Sequence, residues 1–150
     1  MGAPWRSATL VGLDVTLRTW LGPEDFAHLA ASPSPRARLA HALAERFAPY
    51  FRRRYGRSGC PLHDPTAAVL ALHPDLATYR HIPVHVELQG ALTRGATIAD
   101  LRDHPEPPSD DRAAIAVAVT IDDAAAVRTV MTGLTRLGPA GRAGRAGRGG

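Results

Sequence analysis

Gly59-Cys60-Pro61-Leu62-His63-Asp64-Pro65-Thr66-Ala67-Ala68-Val69 sets a histidine and an aspartate side by side, between a proline-bearing turn and the start of an apolar helix. Asp-Pro is a helix-start signature. The carboxylate can accept from the amides near Thr66 and Ala67, and Pro65 suits the first helical position because it has no N–H to satisfy. This reading makes Asp64 the N-cap of a short helix through Val69, Leu70 and Leu72, ended by His73-Pro74-Asp75. The same geometry has a functional reading. A carboxylate fixed at a helix start keeps a lone pair for a hard cation, and an adjacent histidine can donate a proton near neutral pH. Cap and ligand are compatible, so spacing alone leaves both open.

Upstream, Ala8-Thr9-Leu10-Val11-Gly12-Leu13-Asp14-Val15-Thr16-Leu17 is β-branched and alternating, which predicts a core strand over 8–17. Such a strand needs neighbours on both sides. Asp14 and Thr16 fall on one of its faces, toward the carboxyl end where open α/β sheets bind ligands. Gly22-Pro23-Glu24-Asp25 starts a short helix with Phe26, Leu29 and Ala30 on one face. Ser34 caps a longer helix, with Leu39, Leu43, Phe47, Tyr50 and Phe51 as one apolar stripe. Pro49 predicts a kink or a split near Glu45. Arg52, Arg53, Arg54 and Arg57 read first as a solvated helix end and, more sharply, as a phosphate site.

Downstream the pattern changes. Strands are expected over 80–89, 91–101 and 113–121, forming an antiparallel three-strand segment with a turn at Gly90. The link at 102–112 reads as an exposed loop. Asp122 and Asp123 start a closing helix with Val127, Val130, Met131, Leu134 and Leu137 on one face. His81, His85 and Glu87 share a strand face. Two His and one Glu suit zinc, but a plain polar face looks the same. Residues 1–139 read as one folded region, and the Ala-Gly-Arg repeat at 140–150 as a disordered tail.

A chain of 150 residues with 45% apolar content can bury a real core. The net charge of +4 owes much to Arg142, Arg145 and Arg148; without them, 15 Arg face 14 acids. The body therefore carries no basic footprint for nucleic acid, and the tail has no aromatic residue for stacking. All cations are Arg, and Lys and Asn are absent. A lone Cys60 excludes an internal disulfide, fits a reducing compartment and reads as a small buried hydrophobe. No apolar run approaches the ~20 residues of a membrane span. Met1 to Arg6 has no secretory pattern. The expectation is a cytoplasmic protein with no membrane partner. Walker, dinucleotide-binding, Cys-x-x-Cys and Gly-x-Ser-x-Gly motifs are absent.

Gly12-Leu13-Asp14-Val15-Thr16, then Tyr55-Gly56, then Pro61-Leu62-His63-Asp64-Pro65, then Ile82-Pro83-Val84-His85-Val86-Glu87-Leu88-Gln89-Gly90-Ala91-Leu92-Thr93-Arg94-Gly95-Ala96-Thr97 together resemble the inosine-uridine-preferring nucleoside hydrolases. The likeness covers nearly all of 9–137. It implies an α/β fold: the C-terminal portion of an open sheet, with one core strand, several helices, an antiparallel three-strand segment and a closing helix. It implies hydrolysis of the N-glycosidic bond of ribonucleosides to free base and ribose, with a Ca²⁺-bound water as nucleophile. His63 matches the residue that protonates the leaving base. Asp64 matches a calcium ligand that also meets the ribose.

The aspartate-rich first strand of that family, which supplies the general base and most calcium ligands, has no counterpart here. Nor have its ribose-binding asparagines. The chain therefore resembles the C-terminal half of such an enzyme. It is expected to be inactive alone, to need the missing N-terminal half or a homo-oligomeric partner, and to hold calcium weakly or not at all. The alternative is a non-catalytic interaction module that self-associates through an exposed sheet edge.

Overall fold

A computed structural model describes residues 8–102 and 114–137. Most of the expected 102–112 loop and the 140–150 tail lie outside those residues. Strands β1 (Thr9–Leu10), β7 (Ile115–Ile121) and β4 (Ala77–Ile82) form one sheet in the order β1-β7-β4. β1 runs parallel to β7, and β4 runs antiparallel to it. Two small antiparallel pairs stand apart: β2 (Trp20–Leu21) with β3 (Cys60–Pro61), and β5 (Val84–Val86) with β6 (Thr97–Ala99).

The expected strand over 8–17 is corrected to two residues of strand and a helical turn. β1 stops at Leu10, opposite Val117, and α1 (Leu13–Thr16) follows from an extended Gly12. Beyond Leu10 the ladder with β7 ends, so the backbone satisfies itself locally. The amides of Val15 and Thr16 both donate to the Gly12 carbonyl at 3.1 Å. The turn buries Val15 and Thr16 as neighbours, which an extended strand would send to opposite faces.

The three-strand segment is also redistributed. Pro83 has no N–H to give a ladder, and the expected 80–89 strand divides there. The part before it, in β4, pairs with β7. The part after it, β5, pairs with β6. Only Thr97–Ala99 of the expected 91–101 strand is extended. The Glu87 carboxylate accepts from the amides of Gln89 and Gly90 at 2.7 and 2.9 Å, which starts the turn early. Those backbone donors hold its carboxyl below the usual carboxylate range.

The helices are α2 (Pro23–Ala31), α3 (Pro35–Tyr55), α4 (His63–Leu72) and α5 (Asp123–Thr135). α2 and α3 start where expected. Ser34 is the N-cap by position, yet its hydroxyl donates to the Leu134 carbonyl at 2.7 Å and ties α3 to α5. Asp122 is a true side-chain cap, accepting from the Ala125 amide at 2.9 Å. α3 runs unbroken through Pro49. Pro49 and Glu45 are both exposed, so the carbonyl that Pro49 leaves without a donor is on the solvent side.

The buried face of α3 is not the expected stripe. Leu39, Leu43, Phe47 and Tyr50 are exposed, and Ala37 and Ala44 face the core with Phe51 at its margin. α2 packs on α3, with Leu29 buried in the same core as Ala37 and Ala44. That core continues through Leu21, Cys60, Leu62 and Met131. A second core joins Val15, Val69, Leu70, Ala118, Ile121 and Ala126. Val130 of α5 packs against both. The outer edge of β1 has no strand partner among the described residues. No described helix is long and apolar enough to cross a membrane.

Leu29 is 0% exposed and Leu43 52%. Leu29→Ala should therefore cost about 2–5 kcal/mol, and Leu43→Ala within about 0.5 kcal/mol, read as a pair from urea denaturation midpoints.

Candidate active site

The site forms where two segments distant in sequence run side by side. β2 pairs Trp20 with Pro61 and Leu21 with Cys60, and the Leu62 amide donates to the Thr19 carbonyl at 3.0 Å. The crossing requires Gly59, whose φ is +104°. A Cβ there would lie 2.0 Å from the Leu21 carbonyl oxygen and 2.7 Å from Trp20 Nε1. The indole N–H of Trp20 donates to the Ser58 carbonyl at 2.8 Å and locks the approach. Arg57 covers the Trp20 ring, its guanidinium carbon 4.7 Å from the ring centroid. Arg52, Arg53 and Arg54 are the exposed last turn of α3, closed by a left-handed Gly56. Arg54 lies over the Tyr55 ring at 5.7 Å, so among the described residues this cluster is a solvated helix end with two arginines over aromatic rings.

Three threonines join the segments. Thr19 Oγ1 donates to the Thr16 carbonyl at 2.8 Å and lies 2.5 Å from Thr66 Oγ1. Thr66 Oγ1 also contacts the Leu62 carbonyl. Thr19 and Thr66 are 0% and 1% exposed. Thr16 Oγ1 in turn lies 2.8 Å from His63 Nδ1. Sequence reading had placed Thr16 on a strand face and gave no role to Thr19 or Thr66. The available signal was the i, i+3 spacing of Thr16 and Thr19 before an aromatic residue, and it is a weak one.

His63 is half-buried and Asp64 exposed. The expected cap is corrected: α4 begins at His63, the N-cap position is Leu62, and no side chain caps it. The Leu62 carbonyl already receives the Thr66 amide at 3.1 Å, and the Thr66 hydroxyl lies against it. The helix therefore starts two residues earlier than Asp-Pro spacing implies. Asp64 falls in the first turn, where its charge suits the helix dipole. It accepts no hydrogen bond among the described residues, and its oxygens remain available to a ligand. Asp14 is also exposed, on α1 rather than on a strand. Asp14 follows directly on the carboxyl end of β1, the end at which open α/β sheets bind ligands.

The other sequence candidates separate. His81 is on β4, His85 on β5, and Glu87 is folded into its own turn. Among the described residues, no three His, Cys, Asp or Glu side chains converge on a metal position. Cys60 is buried, and burial pushes its thiol up, away from a reactive thiolate. Two clefts are open. One of about 570 Å³ includes Pro23, Phe26, Glu45 and Arg52; another of about 480 Å³ includes Thr9, Leu70, Tyr79 and His81. Neither is lined by His63 or Asp64.

The fold is a mixed α/β one, with His63 and Asp64 side by side in the first turn of α4. The family model described as inosine-uridine preferring nucleoside hydrolase matches residues 2–128, and the chain belongs to that family. The pyrimidine-specific ribonucleoside hydrolase RihA of Shewanella woodyi is 37% identical over 93 residues, which is 61% of this chain and 30% of that protein. A plant nucleoside hydrolase, the PpNRh1 enzyme, superposes with a TM-score of 0.78 at 26% identity, covering 86% of this chain and 41% of that one. A purine-preferring ribonucleoside hydrolase from Gardnerella vaginalis gives 0.72 at 28% identity, with 86% and 40% coverage. The chain thus spans about a third of the curated relative and two fifths of the solved ones.

The absence of a cap bond at Asp64 has a direct consequence. Asp64→Asn should change unfolding free energy by no more than about 0.5 kcal/mol. Asp122→Ala, which removes a real cap, should cost about 1 kcal/mol. Chemical denaturation of the two variants checks the contrast.

Proposed function

We propose that this chain contributes the proton-donating side of a site that hydrolyses the N-glycosidic bond of ribonucleosides. His63 is the acid and Asp64 the carboxylate that meets the ribose. The supporting observation is that Thr16 anchors His63 beside the unengaged Asp64 carboxylate, on a chain that belongs to the nucleoside hydrolase family.

In this reaction the bond from the anomeric carbon to the base nitrogen breaks, and the electron pair leaves with the base. A positioned acid that delivers a proton to that nitrogen accelerates departure by about 10²–10⁴-fold. His63 suits the task because an imidazolium carries two N–H groups: one can remain on Thr16 while the other is given to the base. The developing positive charge at the anomeric carbon is favoured by a nearby carboxylate, and Asp64 offers one.

Calcium is the ion the family resemblance implies. When bound it would polarise ribose oxygens and the attacking water. Ca²⁺ takes six to eight oxygen ligands, and Asp64 is one carboxylate with no third partner among the described residues. These residues alone do not fit a calcium centre. The remaining ligands and the base that deprotonates water correspond to the family's aspartate-rich segment, which these 150 residues do not contain.

The purified chain, assayed with inosine and with uridine in calcium, should release no base above background. Calcium-dependent turnover by the chain alone would contradict this reading. A chimera in which 9–137 replaces the matching region of the Shewanella woodyi enzyme should be active. In that chimera His63→Ala should lower kcat by about 10²-fold or more; unchanged turnover in a folded His63→Ala chimera would remove His63 from the chemistry.

A further inference from the structure

We propose that Thr16 is a positioning residue for His63, and that it fixes the neutral imidazole as the Nδ1–H tautomer with Nε2 turned toward the substrate side. The inference takes its functional meaning from the reading of His63 as the acid, but the geometry behind it is independent of that reading.

Thr16 Oγ1 has two neighbours. His63 Nδ1 is at 2.8 Å and the Leu13 carbonyl at 3.5 Å. A hydroxyl has one proton to give and two lone pairs to accept with. If Thr16 donates to Nδ1, the Leu13 carbonyl receives nothing from it. If Thr16 accepts from Nδ1–H, its own proton is free for Leu13, and both contacts are used. A carbonyl can only accept, so the second arrangement is the one that satisfies both. It also fits the chemistry on either side of proton delivery. In the imidazolium, Nδ1–H donates to Thr16 and Nε2–H faces outward. Once Nε2 has given up its proton, the neutral ring left behind is already the Nδ1–H tautomer, and the bond to Thr16 persists.

The position of Thr16 is over-determined. It is 5% exposed, its amide donates to the Gly12 carbonyl, and its own carbonyl accepts from Thr19 Oγ1. Thr19 in turn touches Thr66, three residues beyond His63 on α4. The two segments that carry Thr16 and His63 are therefore clasped a second time within one helical turn. A free imidazole rotates and exchanges tautomers. This one is held by a β-branched side chain whose rotamer is restricted and whose backbone is pinned.

The test uses the full chain labelled with ¹⁵N-histidine, at alkaline pH where imidazole is neutral. Two-bond ¹H–¹⁵N correlations report which ring nitrogen of each His is protonated, and His63→Gln assigns the His63 signal. The expected result is a predominantly Nδ1–H His63. Thr16→Ser should keep it, and Thr16→Val should shift the ring toward the Nε2–H form while the other His signals stay in place. A predominantly Nε2–H ring in the unsubstituted chain would overturn the inference. So would an unchanged tautomer in a folded Thr16→Val chain. Thr16→Ser is the variant that retains the fold if Thr16→Val does not, and an Nε2–H ring in Thr16→Ser counts equally against the proposal. None of these readouts depends on activity. A failed tautomer result leaves the acid role of His63 to the chimera assay, and a failed chimera assay leaves the Thr16 result intact.

Discussion

The contact between buried hydroxyls of Thr19 and Thr66 is the constraint on which the site depends. β2 and β3 are two residues each, and a pair so short has no stability of its own. The threonines hold it, together with the packing of Leu21, Cys60 and Leu62. An unmade hydrogen bond at a buried hydroxyl costs about 1–3 kcal/mol. The polar clasp thus specifies one alignment of the two segments, where apolar packing alone would tolerate several. That alignment brings Thr16 of α1 to His63 of α4 across 47 positions of sequence.

Local sequence pattern carried some of this and misdirected some. Helix starts at Pro23, after Ser34 and after Asp122 were legible, because each depends on residues within one turn. The strand expected at Ala8–Leu17 was not, because its alternation is also compatible with a helical turn once the neighbouring ladder stops at Leu10. The exposed stripe of α3 failed for a different reason. Counting large apolar residues assumes that they fill the core, yet α3 turns Ala37 and Ala44 inward and leaves Leu39, Leu43, Phe47 and Tyr50 exposed. Pro83 was visible in the sequence, but its effect of sending one apparent strand into two sheets follows only from the partners available.

At the site, His63 and Asp64 were legible as residues but not in their local roles. Spacing makes Asp64 a cap; the bond from the Thr66 amide to the Leu62 carbonyl sets the helix start at His63 and leaves the carboxylate unengaged. Thr19 and Thr66 were invisible, since nothing local distinguishes a clasping threonine from a surface one. The family was legible through the long motif strings rather than through any single residue, and the family model covers most of the same span. The relatives' names differ in base preference, pyrimidine in one and purine in another. In the proposed roles His63 and Asp64 would address the scissile bond and the sugar, and so would not discriminate between bases.

If Asp64 meets the ribose as proposed, the chain should still recognise sugar weakly through that contact. The most direct measurement is a ribose titration of the ¹⁵N-labelled chain in calcium, followed by amide and imidazole shifts. The account predicts perturbations concentrated on Leu62–Thr66, the His63 ring and Thr16. Perturbations confined to the Arg-rich end of α3 or to the Thr9–Tyr79 cleft, with His63 and Asp64 silent, would contradict it.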